Sequence, residues 1–258
     1  MSADHGCKKR SSAGFYRPYA LKFVPHSHLA CGPGLGGHHS HHDHYIGRVL
    51  DTLRRRKQEE DTIVIFTSDH GLAVGSHGLM GKENLYEHSA RVPLILSGPG
   101  IPEDTIYDRD CLCGHYHFLP TLMDLLGLET PKSSQGISYA SVLGYTPLQS
   151  DGNLKAGLVG PRKTITAAHR DCMLITRDER FKLLFYPKIE RTQLLDLEND
   201  PHETNDLPLP WRRQPISGTG KIWNPGYTPA IEAERVDAVA EKLRAVLSGW
   251  QSQNGDEL

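Results

Sequence analysis

The order of apolar and polar positions marks out a small number of elements along the chain. Ile63, Val64, Ile65 and Phe66 form an unbroken run of β-branched and aromatic residues, the pattern of a strand covered on both faces in a parallel sheet. Residues 92–97 repeat it and predict a second buried strand. Upstream, Ile46, Val49, Leu50 and Leu53 recur at steps of three and four, giving a helix one apolar stripe to lay against that sheet. Arg54, Arg55, Arg56 and Lys57 close the helix with cations, which favour a C-terminus. Residues 118–126 read as a further apolar helix, begun by Pro120 and stopped near Gly127. Residues 171–176 and 180–186 read as paired strands turned at Arg177, Asp178 and Glu179, with 193–197 as a third strand. A last helix, 231–250, carries Val236, Val239, Ala240, Leu243, Val246 and Leu247 at helical spacing, which core packing explains.

Candidate chemistry sits at the carboxyl end of the first strand, where Thr67, Ser68, Asp69, His70 and Gly71 follow directly. Open α/β sheets bind their ligands at that end. Adjacent side chains of a regular strand point to opposite faces. A carboxylate and an imidazole next to each other converge only at an irregular strand end, where Gly71 is free to take unusual dihedrals. Taken alone, the tripeptide also admits Asp69 as a cap of the next segment and His70 as a surface imidazole. The wider run 62–93, TIVIFTSDHGLAVGSHGLMGKENLYEHSARVP, adds Lys82 on the same loop.

This run resembles the C-terminal half of a sulfatase catalytic domain, of the alkaline-phosphatase-like superfamily, in the SDHG branch similar to iduronate- and aryl-type sulfatases. The matching blocks are IGRVLDTL at 46–53, TIVIFTSDHG at 62–71, GSHGLMGKENLYEHSARVPLI at 75–95 and SGPGIP at 97–102. FLPTLMDLLGL at 118–128, RDERFKLLFYP at 177–187 and LLDLENDPHETNDL at 194–207 follow in the family's order. The resemblance implies an α/β fold: a partial alkaline-phosphatase-like α/β/α sandwich with a small C-terminal antiparallel α+β subdomain. The expected organisation is an irregular His/Gly-rich segment at 1–44 and the half catalytic domain at 45–130. A loop-rich connection at 131–161 and the C-terminal subdomain at 162–258 complete it.

By the same resemblance Asp69 and His70 are ligands of a divalent metal, usually calcium. Lys82 contacts the sulfate group and assists the leaving oxygen, a combined catalytic and substrate-binding role. A sulfate ester develops negative charge on that oxygen, which a fixed ammonium and a metal cation stabilise. Glu87 and Arg91 are expected to hold the loop as a buried pair. His77 lies close enough in sequence to line the pocket, with no matched family role.

Two family features have no counterpart. The family nucleophile is a formylglycine made from the cysteine of a CxPSR motif, and no such motif occurs; Cys7 lies in CKKRS and Cys31 in CGPGL. The paired aspartates that complete the metal site in the family are also missing. Calcium takes about six to eight oxygen ligands, so these residues alone are expected to bind it poorly. At 258 residues, the resemblance implies a truncated chain. The expectation is a sulfuric ester hydrolase by family, inactive alone. A non-catalytic remnant, or a phosphodiesterase or phosphonate hydrolase of the same superfamily, are the alternatives.

The formal net charge of −2 and the mixing of charges along the sequence point to no nucleic-acid partner. A sulfate ester, small or carried on a glycan, is the implied substrate. No apolar run reaches the roughly 20 residues of a membrane span. The first residues lack the apolar core of a signal peptide, although family members are usually exported or lysosomal. The five cysteines form no disulfide framework. The terminal GDEL resembles a retention signal only weakly, and residues 23–26, FVPH, match a sulfate-contacting strand too briefly to assign. His38, His39, His41, His42 and His44 around Asp43 offer nitrogen donors suited to zinc, nickel or copper. They lack the defined spacing of a structural site, and Asp43 is expected just ahead of the helix.

Overall fold

The computed structural model describes residues 9–11, 33–102, 105–107, 112–145, 162–207, 209 and 233–254. Cys7, Cys31, Cys111, the 23–26 segment and the terminal GDEL lie outside the described residues. In chain order the strands are β1 (Lys9–Ser11), β2 (Val64–Thr67), β3 (Ala73–Val74), β4 (Met80–Gly81), β5 (Leu94–Ser97), β6 (Thr105–Tyr107), β7 (Ile165–His169), β8 (Met173–Arg177), β9 (Phe181–Tyr186) and β10 (Arg191–Asp196). The α-helices are α1 (Pro33–Arg56), α2 (Glu87–Ala90), α3 (Phe118–Leu125) and α4 (Ala233–Asn254).

The apolar run after Ile63 forms β2, but its partner β5 runs antiparallel, with Ile65 opposite Leu96 and Phe66 opposite Ile95. A continuous apolar run reports cover on two faces and carries no information on strand direction, so the expected parallel pairing is corrected here. All four β5 residues and the first three of β2 are half-buried. On one side, Leu125 of α3 with Ala140 and Leu143 packs on Ile63 and Leu96. Helix α3 stops as predicted: Gly127 takes φ 66°, and Leu128 N–H returns to the Met123 carbonyl, a left-handed C-terminal closure.

Helix α1 begins at Pro33, well before Asp43, so the histidine cluster is helical. Its apolar stripe is only partly covered: Val49 is 62% exposed, while Ile46, Leu50 and Leu53 are half-buried. His41 and His44 stand edge-on to Tyr45 at 4.9 and 5.4 Å.

The C-terminal region is a four-stranded antiparallel meander in the order β10-β9-β8-β7, with β7 an addition to the three strands read from sequence. Strand alternation sorts its side chains onto two faces. Leu174, Phe181, Leu183 and Leu194 meet Val236, Ala240, Leu243 and Leu247 of α4; full burial of each such side chain contributes about 1.5–3 kcal/mol. On the opposite face, Ile175, Leu184 and Leu195 pack against Tyr86. That second face meets the loop carrying the predicted chemistry.

Candidate active site

Where β2 ends, a tight set of local bonds turns the chain. The Ser68 hydroxyl donates to the His70 carbonyl at 2.7 Å, and the His70 N–H donates to Asp69 Oδ1 at 2.9 Å. His115, from the turn before α3, donates from Nε2 to the Ser68 carbonyl at 2.8 Å. The carboxylate and imidazole do converge: Asp69 Oδ2 lies 3.4 Å from His70 Nε2. Gly71 serves this turn for a different reason from the one expected. It is absent from the residues with positive φ, yet a Cβ there would lie 2.0 Å from the His88 carbonyl oxygen. Its N–H donates to the Ser89 carbonyl at 2.8 Å. Close approach of α2, not an unusual dihedral, requires glycine.

Lys82 arrives by a short hairpin. Ala73 pairs with Gly81 and Val74 with Met80, while Gly75 and Gly78 supply φ of 89° and 70°, values glycine adopts freely. The hairpin places Lys82 Nζ 2.7 Å from His70 Nε2. The tautomer follows from the other ring nitrogen. Nδ1 lies 2.8 Å from the Gly71 carbonyl, which can only accept, so Nδ1 carries the proton and Nε2 offers its lone pair to the ammonium. Asp69 is 82% exposed. Desolvation acts to raise its pKa, but the His70 imidazole, the His70 N–H and the Lys82 ammonium together hold the carboxyl below its usual range.

An exposed carboxylate oxygen and an imidazole lone pair 3.4 Å apart are donors that suit a divalent cation. Two donors fall short of a coordination shell: among the described residues, no group of three or more His, Cys, Asp or Glu is set to hold a metal. The same holds for His41, His42 and His44 of α1.

His77 does not line this cluster. It takes φ 56° and stacks on Tyr86, centroids 4.2 Å apart. Glu87 does not pair with Arg91 as expected; its carboxylate meets Arg177 Nη1 at 2.9 Å and Lys182 Nζ at 3.1 Å. The sequence reading missed Lys182, Glu203, Tyr186 and Gln193. Lys182 had a legible signal, since a lysine inside the apolar strand FKLLFY needs a buried acid to meet it.

The fold is that of the alkaline-phosphatase-like α/β proteins, on its likeness to the solved structure of BT4656. The sulfatase family model matches residues 36–128. A choline-sulfatase of Rhizobium meliloti is 32% identical over 171 residues, 65% of this chain and 31% of that protein. An N-acetylglucosamine-6-O-sulfatase of Bacteroides thetaiotaomicron is 32% identical over 173 residues, 64% of this chain and 30% of that protein. The solved structure of BT4656 in complex with its substrate D-glucosamine-2-N,6-O-disulfate superposes with a TM-score of 0.60 at 26% identity, covering 83% of this chain and 39% of that one. The chain is thus similar to sulfatases over about two thirds of its length, and the family model falls on the region that carries the strand-end cluster. The chain spans about a third of the length of the curated relatives it matches.

Proposed function

We propose that Asp69, His70 and Lys82 form the metal-and-sulfate side of a sulfuric ester hydrolase site. The observation that carries this reading is the meeting of three groups on one nitrogen: Lys82 Nζ at 2.7 Å and Asp69 Oδ2 at 3.4 Å from His70 Nε2. Asp69 and His70 would hold a divalent cation, with calcium the ion the family suggests. When bound, that ion supplies positive charge to a sulfate oxygen.

The chain's own groups do the rest. Lys82 has three N–H donors, one of which meets the single Nε2 lone pair of His70 and is released when Nε2 binds a cation. The ammonium can then contact a sulfate oxygen and the leaving oxygen as negative charge develops there. The Nδ1–H bond to the Gly71 carbonyl fixes the imidazole so that Nε2 stays an acceptor. No cysteine of the 258 residues lies in a CxPSR motif, so these residues bind and polarise but include no formylglycine nucleophile. The substrate is a sulfate ester, and the chain alone does not turn it over.

Incubating the 258-residue protein with calcium and 4-nitrophenyl sulfate tests this. Saturable shifts of the His70 ring signals, weakened in Lys82→Ala and without nitrophenolate release, are expected. Turnover abolished by Asp69→Ala would overturn the claim of inactivity. Equal or stronger response to a 4-nitrophenyl phosphonate would instead favour a phosphonate hydrolase of the same superfamily.

A further inference from the structure

The inner face of the C-terminal sheet carries a fully buried ammonium. Lys182 in β9 is 0% exposed, and its Nζ meets Glu203 Oε1 at 2.7 Å and Glu87 Oε1 at 3.1 Å. Arg177, its cross-strand partner on β8, reaches the second Glu87 oxygen at 2.9 Å. The other oxygen of Glu203 accepts the backbone N–H of Glu87 at 2.6 Å. Two cations and two carboxylates therefore close a neutral cluster around the first residue of α2, gripping it by side chain and main chain together.

The far side of α2 touches the candidate site. Ser89 accepts the Gly71 N–H, and the His88 carbonyl fills the space beside the Gly71 Cα. Tyr86 adds a neighbouring tie, donating to Gln193 at 2.9 Å beside the Tyr186 hydroxyl. A buried ion cluster is a poor device for stability alone, since apolar residues of similar size generally serve as well. What it does supply is a penalty on displacement, because moving α2 away would leave an uncompensated buried charge.

We propose that Lys182 is a positioning residue for the Asp69–His70 turn, acting through Glu87 and Glu203 to hold α2 where its carbonyls meet Gly71. The proposal rests on the reading of Asp69 and His70 as metal ligands only for its functional consequence. The sheet thereby sets the strand-end geometry from the opposite side of the loop.

Residue-resolved amide exchange on the 258-residue protein tests it, comparing wild type, Lys182→Met and Lys182→Arg. Lys182→Met should speed exchange of the Gly71 amide by about tenfold or more while the β8–β9 ladder keeps its protection. Lys182→Arg should restore the wild-type pattern. If Lys182→Met alone does not fold, the double variant Lys182→Met with Glu203→Gln removes one charge of each sign and is read on the same amides. Unchanged Gly71 exchange, or loss equal to that of the ladder, would overturn the proposal.

A second readout is manganese affinity at the His70 ring, expected to weaken about tenfold in Lys182→Met, as for other supports of metal ligands. Absence of manganese binding in wild type would overturn the metal reading and leave the Gly71 result to decide the positioning role.

Discussion

The carbonyl oxygen of His88 lies 2.0 Å from the point where residue 71 would carry a Cβ. Gly71→Ala must therefore push α2 off the strand end, breaking the Gly71–Ser89 hydrogen bond. The expected cost is about 1–3 kcal/mol, as for other overpacking substitutions, measured by urea unfolding. Gly75→Ala offers a control, since its added Cβ meets nothing within 4 Å and its cost arises from φ alone. An unfolding midpoint unchanged in Gly71→Ala would contradict the packing described.

Acid should destabilise the protein through His117. This imidazole is 2% exposed; burial, with a smaller push from the Arg162 charge, lowers its pKa to about 4. Nδ1 accepts the Ile137 N–H at 2.8 Å, a bond that protonation would break. The unfolded chain takes up this proton near pH 6.5 and the folded chain only near 4. Stability present above pH 6.5 is therefore lost as pH falls through that window, with no further loss below it. Between pH 7 and 4.5 the contribution is about 2 kcal/mol. His88, also lowered to about 4, adds a contribution of the same sign. His117→Asn keeps an acceptor for Ile137 and should flatten the stability profile by the His117 share; an unaltered profile would contradict this.

The elements with long periodic patterns were legible in the sequence. Val236, Ala240, Leu243 and Leu247 announced the face of α4 that packs on the sheet, and Gly127 announced the end of α3. The grouping of Asp69, His70 and Lys82 on one loop was expected from family resemblance, and the hairpin of β3 and β4 explains how residues twelve apart meet. Strand direction was not legible, because Ile63–Phe66 carries the same apolar pattern whichever way β5 runs. Nor was the partner of Glu87: Arg91 is near in sequence, but Arg177 and Lys182 reach it across the sheet. Such pairing depends on tertiary register, which local pattern does not encode.

The turn between β8 and β9 should depend on one carboxylate. Asp178 Oδ1 accepts the N–H groups of Arg180 and Phe181 at 3.0 and 2.8 Å, and Oδ2 faces Lys242 of α4 at 3.2 Å. Asp178→Ala is expected to cost about 1–2 kcal/mol in urea unfolding, comparable to loss of a side-chain cap. Asp178→Asn retains the Oδ1 acceptor and should recover most of it, because the ion pair to Lys242 is exposed and worth little. Equal loss in both variants would place the effect in the ion pair instead.

Manganese broadening of the histidine ring signals tests the central claim most directly, because it locates a bound cation residue by residue. The account predicts selective broadening of the His70 ring, weakened by Asp69→Asn, which removes the negative charge at that edge and keeps only a neutral amide oxygen. Broadening that leaves His70 untouched, or that is as strong in Asp69→Asn as in wild type, would contradict it.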